Sequence, residues 1–165
     1  MTSWHARSLE ERNLLNPGFC STLLWHAALG YASERKAAMA IELSFLVLPF
    51  VLHQQTRESL PRNITTSLAT WLIEHPIVRT RLGERAASLK PFTREALVFG
   101  GSHGLLSLSA DGVRANADMK KRVAAGLKPT SDEVRACAKR AEFLGKWLER
   151  AGGIETVMAL LGVRP

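Results

Sequence analysis

The sequence predicts a mainly α-helical fold with a small β-hairpin. Apolar residues recur at spacings of three and four over most of the chain, and prolines and capping residues cut that pattern into helix-sized pieces. Only one segment alternates with a period of two. At 165 residues with 46% apolar content the chain can bury a core without metal or disulfide staples, so residues 1–165 read as a single domain. Its parts are a helical core at 16–60, a candidate winged-helix-like unit at 61–117, and C-terminal helices at 130–165 that pack with it.

The first predicted helix starts at Asn16-Pro17, because Asn accepts from orphan first-turn amides and Pro at the first helical position loses nothing. It runs to about Ser33. Phe19, Cys20, Leu23, Leu24, Ala27, Ala28 and Tyr31 fill one broad face that Trp25 extends, which suits a central core helix or a subunit contact. Leu43 to Leu52 reads as a helix distorted at Pro49, although periodicity alone also allows a short buried strand. The polar stretch LHQQTRESLPRN, residues 52–63, then has two readings: local capping with Arg57 and Glu58 solvated, or a fixed loop presenting Arg57 and Arg62 to an acidic partner.

Pro61 opens the next unit, with Ile64, Leu68, Trp71 and Leu72 at helical spacing up to His75-Pro76. Pro76 starts a helix from Ile77 to Leu89 that Pro91 closes, and Thr93 caps a further one over TREALVFGGSH. In LLSLSADGVRAN, Leu106 and Leu108 precede and Val113 follows Asp111-Gly112, a dipeptide favoured where a tight hairpin needs positive φ. Three helices followed by a hairpin is the layout of a winged helix-turn-helix.

Ala117 to Lys128 is polar and basic and is expected to form a loop. Thr130-Ser131-Asp132-Glu133 supplies a cap and an acidic first turn for a long helix ending at Gly152-Gly153. Val134, Cys137, Ala138, Ala141, Leu144, Gly145, Leu148 and Ala151 form one stripe of mostly small residues, suited to close helix packing. Phe143 and Trp147 fall on the opposite side among Lys139, Lys146 and Arg150. They need a second cover, from a partner or from this chain. A last helix spans Ile154 to Leu161, before Gly162-Val163-Arg164-Pro165.

The chain carries little that could do chemistry. His5, His26, His53, His75 and His103 show no metal-ligand spacing, and Cys20 and Cys137 read as buried thiols. No nucleophile elbow or P-loop is present, and the carboxylates do not pair in an apolar setting. We therefore expect a binder, not an enzyme, with no catalytic, metal or cofactor residues. Net charge +7 and a pI near 10.0 favour acidic partners. Lys120, Lys121 and Arg122 are the one dense basic run, a candidate nucleic-acid contact or else a solvated face. The chain start lacks a signal-peptide pattern, and Ile41 to Leu52 falls short of the ~20 apolar residues of a membrane span, so a cytoplasmic protein is expected.

The segments NLLNPGFCSTLLW, FLVLPFVLHQQTRESLPRNITTSLATWL, RLGERAASLKPFTREALVFGGSHGLL, KRAEFLGKWLERAG and the terminal LLGVRP together resemble the middle component of three-component ABC ATPase systems. These are bacterial and archaeal conflict systems, of which Lamassu-type antiviral and anti-plasmid defence is the known example. The resemblance implies a small non-enzymatic adaptor beside an ABC/SMC-like ATPase and an effector, often a nuclease, encoded nearby, with DNA reached through the complex. Candidate partner contacts are then Arg57, Arg62, Phe143, Lys146, Trp147 and Arg150. The alternative is a winged-helix DNA-binding protein.

Overall fold

The computed structural model describes residues 7–162, so Val163-Arg164-Pro165 of the C-terminal motif, like His5, lies outside the described residues. The fold is mainly α-helical with a two-stranded hairpin. Helix α1 (Leu9–Leu14) starts at a reciprocal capping box: Ser8 Oγ accepts from the Glu11 amide, and the Glu11 carboxylate accepts from the Ser8 amide. The sequence reading did not assign this helix.

Helix α2 (Pro17–Arg35) is capped by Asn16, whose side chain accepts from the Gly18 and Phe19 amides, and it ends at Lys36 in the left-handed conformation. It is the central strut of the core. Leu23, Leu24, Ala27 and Ala28 are all but sealed from solvent. Helix α3 (Ile41–Val51) carries Pro49 within it and buries its whole second half. Helix α8 (Asp132–Arg150), capped by Ser131, lies against α2 along its stripe of small residues. A Cβ on Gly30 would stand 2.0 Å from the Glu142 carbonyl oxygen, and one on Gly145 would stand 1.9 Å from that of Ala27. The two backbones touch, and only glycine permits it.

The second unit differs from expectation. Residues 60–67 are irregular, and helix α5 covers only Leu68–Glu74. From there one helix, α6 (Pro76–Ser102), runs through Pro91. Proline inside a helix costs about 3 kcal/mol through its missing amide and a clash with the preceding turn. Here Leu82 and Ala86 before it, and Thr93, Ala96 and Leu97 after it, form one continuous buried row, and that packing keeps the helix whole. Thr93 Oγ1 donates back to the Leu89 carbonyl at 3.2 Å instead of capping a new helix. Within residues 61–117, two helices therefore precede the hairpin in place of the three that a winged-helix layout needs.

Strands β1 (Leu106–Ser109) and β2 (Gly112–Ala115) pair antiparallel with Ser109 opposite Gly112, so the turn is Ala110-Asp111. Gly112 has φ +125, and a Cβ there would meet the Met39 carbonyl oxygen at 2.3 Å. That close approach lets Val113 exchange both backbone hydrogen bonds with Met39, pinning the hairpin to the link between α2 and α3. Residues 117–128, expected as a loop, fold into a 3₁₀ turn at Ala117–Met119 and helix α7 (Lys120–Leu127). Met119, Val123 and Leu127 recur every four residues and pack on the core, a row too sparse to stand out among the charges. Helix α9 (Ile154–Leu161) closes the chain against α5 and α6.

Each of three buried tryptophans ties a distant backbone carbonyl, in an irregular connection or at a helix end, to the core through its indole N–H. Trp25 donates to the Asn116 carbonyl at 2.9 Å, Trp71 to that of Ser59 at 2.7 Å and Trp147 to that of Thr66 at 2.7 Å.

Candidate partner interface

Only part of the polar stretch after α3 is loop. Residues Gln54–Ser59 form helix α4, capped by His53, whose Nδ1 accepts from the Thr56 amide at 3.3 Å. Thr56 Oγ1 lies 2.9 Å from the same nitrogen and accepts from Arg85 Nη1 at 2.9 Å. An Nδ1 that accepts from the Thr56 amide fits the neutral tautomer protonated at Nε2. Burial, followed by the Arg85 charge, holds the His53 pKa below the usual histidine range. Burial also lowers that of Arg85.

Arg57 is 3% exposed. Its Nη1 donates to the Val51 carbonyl at 2.7 Å and to Cys137 Sγ at 3.3 Å, and its Nη2 pairs with Glu133. Arg85 Nη1 also donates to the Pro49 carbonyl at 3.2 Å. Two guanidinium groups thus satisfy carbonyls at the C-terminal end of α3, where the helix dipole favours cations. Arg57 fastens α3 and α4 to α8, so the expectation of a solvent-facing Arg57 is corrected. Arg62 is exposed.

At Trp147 the second expected contact face is covered from within. Trp147 is 1% exposed, packed edge-on against Trp71 and Phe50 with ring centroids 5.3 and 6.4 Å away. Phe143 is half-buried, 6.4 Å from the Trp147 ring, with the Arg140 guanidinium 5.4 Å from its own centroid. Lys146 pairs with Glu142 at 3.0 Å and Arg150 with Glu34 at 3.5 Å. The outer side of α8 at Trp147 is closed by residues 60–67 and α5, the second of the two covers that the sequence left open. Lys120, Lys121 and Arg122 are exposed on α7, with Arg122 at the rim of a cavity of about 400 Å³ beneath that helix.

Among the described residues, a different surface stays open along one side of α6. Two grooves of about 580 and 490 Å³ share Gly83 and Gly162 and so join end to end between α6 and α9. From Pro76 to Arg94 the trough follows α6 for about 27 Å at the usual helical rise. Its floor is apolar, with Leu46, Met158 and Leu161 buried and Ile73 left 79% exposed at one end. Arg79, Lys90 and Arg94 line it. Among the described residues none of these cations has a hydrogen-bonded or ion-paired side chain, whereas Arg35, Arg57, Arg81, Arg135, Lys146 and Arg150 all have acid partners.

The family described as ABC-three component (ABC-3C) system Middle Component 3 matches residues 4–165. The chain belongs to that family. No curated protein and no solved structure matches it significantly. As a middle component it is a subunit of an ABC ATPase system with partner components. Among its described residues no helix is long and apolar enough to cross a membrane, and no group of three or more His, Cys, Asp or Glu is placed to hold a metal ion.

Its thiols are quiet. Burial above all, with the Glu95 charge, pushes the Cys20 thiol up to about 12, and burial raises that of Cys137. His26 Nδ1 stands 3.7 Å from Glu142 Oε2, too far for a hydrogen bond, and burial outweighs that carboxylate to hold its pKa below the usual range.

The trough escaped the sequence reading for a definite reason. Arg79, Gly83, Ala87, Lys90 and Arg94 follow at intervals of four, four, three and four, one row on a single helix. Ending the expected helix at Leu89, ahead of Pro91, broke that row before Lys90 and Arg94.

Proposed function

We propose that this middle component is a non-enzymatic adaptor subunit, docked on the ABC/SMC-like ATPase of its system and linking it to an effector such as a nuclease. Membership of the family over residues 4–165 carries the reading. The buried, unreactive thiols and the neutral, structurally engaged His53 support a binding role over a catalytic one. In this reading the protein works in the cytoplasm, in defence against viral or plasmid DNA, and meets DNA through the complex.

The experiment is co-expression with the neighbouring ATPase, affinity capture of either chain, and activity assays on the purified protein alone. Capture of the ATPase, with no hydrolysis of nucleotide or nucleic acid by the isolated chain, is expected. Turnover abolished by a point mutation within this chain would overturn the non-enzymatic reading. Steeply salt-dependent DNA binding without ATPase capture would transfer the role to a DNA-binding protein, with Lys120, Lys121 and Arg122 as the contacts to test.

A further inference from the structure

The trough along α6 combines three features seldom left together on a free surface: an apolar floor, cations without internal partners, and small residues at its centre. We propose that it receives an acidic, amphipathic helix from a partner protein, an inference that rests on the adaptor reading above. Charge selects the partner. Arg79, Lys90 and Arg94 face the trough against one acidic lining residue, Glu42, so an incoming segment gains by carrying carboxylates.

Shape selects a helix. Gly83 and Ala87 stand four residues apart on α6, and a Cβ on Gly83 would meet nothing within 4 Å. The molecule already uses glycine to bring helices together, at Gly30 and Gly145 between α2 and α8, but there the space is filled by the facing backbone. At Gly83 the equivalent space is vacant. A helix laid there would place apolar side chains against the half-buried Phe45 and cover Ile73. Arg79 and Lys90 lie about 16 Å apart along α6, so the partner needs acidic residues roughly eleven positions apart with an apolar row between them. Duplex nucleic acid would use the cations but leave the apolar floor unpaired.

The test pairs two variants, Lys90→Glu with Arg94→Glu and, separately, Gly83→Trp, each co-expressed with the neighbouring ATPase. All three changed side chains are at the surface or point into open space, so thermal melts should stay unchanged. The wild type is expected to capture the ATPase, and each variant to bind it about tenfold or more weakly. Capture by both variants at wild-type strength would overturn the trough as the docking site while leaving the adaptor reading intact. Failure of the wild type to capture any ATPase would overturn that reading, and this proposal with it. Charge-reversed protein that still captures the ATPase but loses binding to a short DNA duplex would assign the trough to nucleic acid and likewise overturn the proposal.

Discussion

Arg57 shows how far a polar residue's setting can depart from its sequence context. In LHQQTRESLPRN it sits among side chains that prefer water, yet its guanidinium is sealed under α8 and satisfies the Val51 carbonyl. Arg57→Ala should destabilise the fold by about 2 kcal/mol in urea unfolding, since it leaves the Val51 carbonyl only the weak Cys137 thiol donor at 3.5 Å and opens a cavity. Glu133 is 60% exposed, so Glu133→Gln should cost under about 1 kcal/mol, the pair itself being screened by solvent. Comparable losses from both would locate the stabilisation in the ion pair instead. His26 gives a pH signature. Its folded pKa lies below the unfolded value of 6.5, so the unfolded chain binds the proton more readily. Its contribution to stability is complete above that pH and is lost as pH falls toward the folded pKa. Melting temperature should therefore drop as pH falls below 6.5, and His26→Gln should flatten part of that slope. An identical slope in the variant would remove His26 as its source.

Between helices, the sequence was most informative where a single feature decides the outcome. Asn16-Pro17 starts α2, Ser131 caps α8, and the small-residue stripe of α8 does meet another helix closely. It was least informative where packing overrules a local signal, as at Pro91, or where an element is buried from two sides, as α8 is by α2 and by residues 60–67. A helical wheel separated Trp147 from that stripe correctly. It could not supply the distant Thr66 carbonyl that accepts its N–H. The α2–α8 contact yields a sharp expectation. Gly145→Ala forces a methyl into the Ala27 carbonyl and should destabilise by about 3 kcal/mol, lowering the melting temperature by roughly 6–12 °C for a chain of this size. Gly126→Ala, where a Cβ meets nothing within 4 Å, is the control and should be neutral or slightly stabilising. Equal effects at both positions would contradict the backbone contact.

Across the molecule, charge is sorted. Carboxylates of α2, α6 and α8 pair with cations elsewhere in the chain, while Arg79, Lys90 and Arg94 on α6 and the basic run on α7 face outward within a net charge of +7. The overall basicity was legible in composition. Its concentration beside an apolar floor on α6 was not, because it depends on α9 lying alongside. The proposed adaptor role calls for a chain that is stable alone yet keeps such a surface uncovered until it meets the ATPase. The most direct test is the mass of the purified protein mixed with its neighbouring ATPase, by light scattering across a size-exclusion column. One co-eluting complex at the summed mass is expected, reduced to separate peaks by the Lys90→Glu and Arg94→Glu pair. Two separate peaks for the wild type, with each chain folded and active nucleotide binding by the ATPase, would contradict it.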